Sequence, residues 1–196
     1  GFLGLFILIA CKASFLAVLL GAMSLVIYVF IYTPMKQVSS LSVMVGAIPG
    51  ALPPLIGYSA VIPRLEELGI VLFLIQFFWQ FPHFWSIGWF LYEDYEKAGF
   101  FMLPSGKKDN STALQIILYT LWLIIASLLP VLGFTGQFFI TKISAVAVLL
   151  LGLWMLFYAV KLYQTRTSKA ARTLMLVSVS YITLLQLVYI LDKFLR

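Results

Sequence analysis

Two groups of residues in this sequence have types and spacings suited to chemistry on an anionic group. The first is Tyr32-Thr33-Pro34-Met35-Lys36. A lysine ammonium is a compact charge suited to a phosphate, and a tyrosine hydroxyl can donate beside it. If the stretch stays helical through Pro34, Tyr32 and Lys36 are i,i+4 neighbours. The second is Tyr92-Glu93-Asp94-Tyr95-Glu96-Lys97, with three carboxylates. Carboxylate oxygens suit a hard cation such as Mg²⁺, which keeps waters and a substrate phosphate as further ligands. Both have plainer readings. Tyr and Lys are at home at headgroup level, and a charge run is usually a solvated one.

Between these groups, an apolar run carries Gln76, Gln80, Pro82 and His83. At about 100° per residue, Gln76 lies near 0°, Gln80 near 40° and His83 near 340°. If the helix continues, Asp94 returns to 0° after about 27 Å of rise. The spacing therefore predicts one polar stripe, Gln76–Gln80–His83–Asp94, facing protein or a cavity, because unpaired polar groups in lipid are costly. Interhelical hydrogen bonding alone would also account for it. Trp79, Phe81, Phe84, Trp85, Trp89 and Phe90 crowd the same run and suit a greasy substrate or a carbocation. A neighbouring run contains Gly46, Pro49, Gly50, Pro53, Pro54 and Gly57. Its prolines predict a broken helix, which membranes tolerate only against protein or a cavity; Gly46-x-x-x-Gly50 equally suits close helix packing.

The elements that must hold these groups are membrane spans. Of 196 residues, 63% are hydrophobic and 10% charged, against about 45–50% and 25% in soluble domains. This excludes an ordinary soluble enzyme and a disordered chain. One cysteine, Cys11, and one histidine, His83, exclude an internal disulfide, a cysteine-based zinc site and a paired-histidine metal site. The net charge of +6 is scattered between apolar runs, which fits anionic lipid and not nucleic acid. Apolar runs cover 1–11, 14–31, 41–61, 69–91, 112–133, 141–160 and 172–191. The last six are long enough to span; the first reads as the end of a span that begins upstream. The expected fold is an all-α polytopic transmembrane helix bundle, six full spans plus one partial N-terminal span, in a single domain over 1–196. Alternating loops put eight Lys and Arg on one side and five, including Arg196, on the other. The richer side, with loops 32–40, 92–111 and 161–171, is expected to be cytoplasmic.

At these residues the chain resembles a known family. Tyr32-Thr33-Pro34-Met35-Lys36, the string from Val45 to Gly57, Trp79-Gln80-Phe81-Pro82-His83-Phe84-Trp85, Glu93-Asp94-Tyr95 with Ala98-Gly99 through Pro104, and Ala170-Ala171-Arg172 through Tyr181 to Asp192 are similar to the protohaem IX farnesyltransferases (haem O synthases) of the intramembrane aromatic prenyltransferase superfamily. The resemblance runs in order along essentially the whole chain. It implies a prenyltransferase of about nine helices in the bilayer, joining farnesyl diphosphate to the vinyl group of haem b with Mg²⁺ as cofactor. It implies that Tyr32 and Lys36 hold diphosphate, that Glu93 and Asp94 belong to a Mg²⁺-linked catalytic loop, and that Lys97 contacts phosphate. Gln76, Trp79, Gln80, His83 and Trp85 would line the haem and prenyl cavity, His83 on the haem side. Haem A synthase or terminal oxidase assembly factors would be partners, and a bacterial inner membrane the location.

Two departures stand out. Gln37 replaces a second basic residue after Lys36, and the family's first acidic motif, Asn-x-x-x-Asp-x-x-x-Asp, is absent. The expectation is a C-terminal portion lacking the first two helices, which binds Mg²⁺–diphosphate poorly and turns over little by itself. A prenyltransferase acting on a quinone or chlorophyll precursor, and a non-enzymatic haem-binding or transport protein, are the competing readings.

Overall fold

The computed structural model describes residues 1–136 and 138–195. Arg196, one of the cations counted above, lies outside them. Among the described residues every regular element is helical: α1 (Phe2–Ala10), α2 (Phe15–Val26), α3 (Thr33–Met35), α4 (Ser42–Val61), α5 (Glu67–Phe90), α6 (Tyr92–Lys97), α7 (Asn110–Leu128), α8 (Lys142–Thr165) and α9 (Ser168–Leu195). A π-helical turn, Ile27–Tyr32, joins α2 to α3 in one rod, and a 3-10 turn, Leu129–Leu132, extends α7. Six of the resulting rods are long and apolar enough to cross a membrane. The chain is an all-α, multi-pass membrane bundle.

Helix α5 is the hub, packing on α4, α7 and α9; α8 lies between α7 and α9, and α2 lies on α4. The main core joins Phe81, Trp85 and Trp89 of α5 to Ile116 and Leu123 of α7, Met155 of α8 and Leu174 of α9. Lipid supplies no hydrophobic drive between helices, so close fit and internal hydrogen bonds hold them. Gly152 of α8 shows the fit: a Cβ there would stand 2.6 Å from Ile124 Cγ1 of α7. Ser127 shows the bonding. Its hydroxyl pairs with Tyr181 Oη at 2.8 Å, and its carbonyl accepts from Tyr189 Oη at 2.6 Å, tying α7 to α9.

Three expectations change. Helix α4 is continuous through Pro49, Pro53 and Pro54. Proline leaves the carbonyl four residues earlier without its donor; Pro53 does this to Pro49, and Ser24 Oγ of α2 donates to that carbonyl at 3.4 Å. Neighbouring hydroxyls can thus sustain a proline-rich helix in lipid. The loop expected at 161–171 contracts to Arg166 and Thr167, because α8 and α9 outrun their apolar stretches; Arg166 makes the turn at φ 52°. Finally, α5 stops at Phe90. Leu91 leaves helical geometry at φ −100°, ψ 22°, and α6 starts afresh, so Asp94 does not continue the α5 stripe.

Candidate functional site

Pro34 has no N–H to give the preceding turn, and the chain widens there into the π turn. The carbonyl of Tyr28 receives the backbone N–H and, at 2.8 Å, the hydroxyl of Thr33, five residues on. The wide turn brings the rings of Tyr28 and Tyr32 to 5.2 Å. Lys36 folds back over them, its Nζ 4.5 Å from the Tyr32 ring centre and 5.9 Å from that of Tyr28. Tyr32 and Lys36 are therefore neighbours, but through ammonium and ring face, not ammonium and hydroxyl.

Behind this pair, between α2, α4 and α5, is a cavity of about 370 Å³. Ser24, Tyr28, Tyr32, Gly46, Gly50 and Gln80 are among its walls. The two glycines seat two of these side chains. A Cβ on Gly46 would stand 2.6 Å from Tyr32 Cε2, and one on Gly50 would stand 2.9 Å from Gln80 Cδ. The Gly-x-x-x-Gly spacing thus serves packing and cavity together. Gln80 is buried and donates from Nε2 to the carbonyls of Ala47 at 3.0 Å and Gln76 at 3.2 Å.

The other four residues expected at this cavity stand elsewhere. Gln76 contributes its carbonyl to Gln80. His83 turns to α9, its Nδ1 2.8 Å from Ser178 Oγ, and it stacks at 4.6 Å on Trp79, whose indole N–H donates to Ser178 O at 2.7 Å. Trp85 is in the core, edge-on to Tyr119 at 5.0 Å. The single stripe divides because Gln80 and His83 are about 60° apart around the helix, enough for one to meet α4 and the other α9.

The acidic segment packs against the Lys36 segment. Phe101 N donates to Lys36 O at 3.1 Å, and Ser40 Oγ to Pro104 O at 3.2 Å. Within the segment, Glu93 is paired with Lys108 at 2.6 Å, and this hydrogen bond holds its carboxyl below the usual range. Tyr92 lies 3.1 Å from both Glu96 Oε1 and Gly106 O; burial, then Glu96, push its phenol up. The backbone N–H of Thr112 holds Asp109, the N-cap of α7, low. Asp94 and Lys97 are exposed.

Among the described residues no three of His, Cys, Asp and Glu come together as a metal cage. Mg²⁺ more often takes one or two carboxylates plus substrate phosphate. Of the two carboxylates expected to hold it, Asp94 is exposed and Glu93 is paired with Lys108.

Sequence reasoning missed Tyr28, Ser24 and the seat at Gly50. Tyr28 had a signal, because Tyr28, Tyr32 and Lys36 recur every four residues. Ser24 had none.

The UbiA prenyltransferase family pattern matches residues 1–184. The curated protoheme IX farnesyltransferase of Flavobacterium johnsoniae is 70% identical, the match covering 90% of this chain and 59% of that protein. The proteins of the same name from Christiangramia forsetii and Solibacter usitatus are 57% and 46% identical, covering 90% and 89% of this chain and 59% of each relative. The chain thus spans about three fifths of the length of these relatives. No solved structure matches.

Proposed function

The chain belongs to the UbiA prenyltransferase family, and from that premise we propose that it forms part of an enzyme transferring farnesyl from farnesyl diphosphate to a vinyl group of haem b, giving haem O. The observation that carries this reading is the ammonium–aromatic cluster of Lys36, Tyr32 and Tyr28, whose two tyrosines wall the cavity behind it. It offers a cation for diphosphate and ring faces for an allylic cation, side by side.

In this reading Lys36 and the Tyr32 hydroxyl engage diphosphate oxygens as the bond to farnesyl C1 breaks, the electron pair leaving with the diphosphate. The ring faces of Tyr32 and Tyr28 stabilise the positive C1. The terminal vinyl carbon attacks C1, charge passes to the inner vinyl carbon, and water adds there with loss of a proton. Lys97 lends further positive charge. Mg²⁺, held by Asp94 and by Glu93 once freed from Lys108, would supply charge neutralisation of the diphosphate. His83 and Trp79 hold the α5–α9 wall. In this reading the Lys36 end of the bundle faces the cytoplasm from a bacterial inner membrane; the cation asymmetry of the loops supports that orientation. Haem A synthase or terminal oxidase assembly would take the product.

The test is product analysis by mass spectrometry, with the whole enzyme of which this chain forms part placed in membranes and supplied with haem b and farnesyl diphosphate. Hydroxyethylfarnesyl haem is expected from the whole enzyme. Lys36→Met should lower kcat/KM by roughly 10²-fold, the scale for removing one charge-stabilising donor. Farnesylation of an aromatic acid but not of haem, or an unaffected Lys36→Met, would overturn the reading.

A further inference from the structure

Gln80 is 3% exposed, at the α4–α5 contact that walls the cavity. Both N–H donors of its carboxamide have acceptors, the carbonyls of Ala47 and Gln76. That sets the orientation of the group, since an oxygen in the nitrogen's place would meet only acceptors. The amide oxygen is turned toward Gly50, into the space a Cβ would fill. Among the described residues no donor is paired with it, and it is not sealed from solvent-sized space. Gly50 and Gln80 line the same cavity.

An acceptor held rigidly in the wall of this cavity repels diphosphate and attracts an O–H donor. A cavity water needs two to four polar partners. Ser24 Oγ, on the same cavity, donates its proton to Pro49 O and keeps lone pairs for another O–H. The role of this acceptor rests on the farnesyl-transfer reading, a reaction that requires water at one step only.

The geometry points to Gln80 as the positioning residue for the water that ends the reaction. Once farnesyl C1 has bonded to the terminal vinyl carbon, the inner vinyl carbon is cationic. One O–H of the water donates to Gln80 Oε1, which aims an oxygen lone pair at that carbon. The C–O bond forms, the resulting oxonium gives a proton to the departed diphosphate, and a hydroxyl remains. No redox change occurs. Without a held water, the same cation loses a proton from the adjacent methylene and becomes an alkene, one water lighter.

The two products are separable by mass, so their ratio reads the role of Gln80 independently of yield. In heavy-oxygen water the wild-type hydroxyl should carry the label. Gln80→Met should raise the alkene-to-alcohol ratio roughly tenfold, the equivalent of one lost hydrogen bond. Gly50→Ala should move the ratio the same way, by displacing the amide without changing its chemistry. Gln80→Glu, which sets an oxygen against the Ala47 and Gln76 carbonyls in place of the donating nitrogen and so unseats the group, should move the ratio the same way. If Gln80→Met does not fold, Gly50→Ala and Gln80→Glu still read the ratio. A wild-type ratio in both Gln80→Met and Gly50→Ala, whatever their yields, would overturn the proposal and leave Gln80 as a tie between α4 and α5. If the wild-type protein makes no farnesylated haem, the reaction reading fails first and this inference falls with it.

Discussion

Lys36 is held by two aromatic rings and, among the described residues, has no carboxylate partner. A cation over a ring face is attracted by about 0.5–2 kcal/mol, less than a phosphate dianion offers it in a desolvated site. The rings therefore store the ammonium close to its work without competing for it. Glu93 is in the opposite condition, tied to Lys108. Its folded pKa lies below its unfolded one, so the stabilisation from this pair is present above the ordinary carboxylate range and is lost as pH falls through the folded value. Asp109, held low by the Thr112 N–H, has the same sign. Protection against amide hydrogen exchange across 92–112, taken relative to the intrinsic exchange rate at each pH, should fall below about pH 4 and stay high at neutrality. Lys108→Met should reproduce that loss of protection over the 92–98 part at neutral pH, with the α7 start unaffected. Asp109→Ala should do the reverse, loosening the α7 start at a cost of about 1 kcal/mol.

At the scale of elements, the π turn and α4 share the task of seating Tyr32. Gly46 leaves the room into which the ring fits. A ring cannot bend aside as a lysine can, so Gly46→Ala must shift Tyr32 bodily and Lys36 with it. Steady-state kinetics should show KM for farnesyl diphosphate raised about tenfold, in line with the cost of displacing a positioned group. The spans themselves were legible in the sequence because length and hydropathy decide whether a helix can cross lipid. The bundle partners of each face were not. Periodicity tells which side chains share a face but not which helix meets it, and that is why Gln80 and His83 were expected together and occur apart. The continuity of α4 was not legible either, because the hydroxyl that sustains it, Ser24, comes from another helix. Both chemistry-bearing segments were legible as polar interruptions of apolar sequence; the pairing of Glu93 with Lys108 was not, because it depends on how the connection from α6 to α7 folds back.

At the scale of the molecule, α5 joins two groups of helices: α2 and α4 on the cavity side, and α7, α8 and α9 on the other. The second group has the larger buried core and should resist disruption as a unit. Gly152→Leu, which forces a side chain into Ile124, should cost about 1–3 kcal/mol and lower the thermal midpoint of the protein in detergent. The local geometry of Tyr32 and Lys36, several helices away, should be unchanged, a separation that ligand-induced stabilisation by diphosphate would report.

Only Arg166 and Thr167 separate α8 from α9, and the hairpin apex carries Lys161, Arg166, Lys169 and Arg172 with no acid nearby in sequence. During biogenesis neither helix can enter the bilayer alone without stranding its partner's end, so the translocon must release the two as one inserted hairpin. A cationic apex of this kind resists translocation. Inserted as a unit, the α8–α9 hairpin would then meet α5 and α7 already paired, so that these two helices enter the bundle in one docking step and not in two.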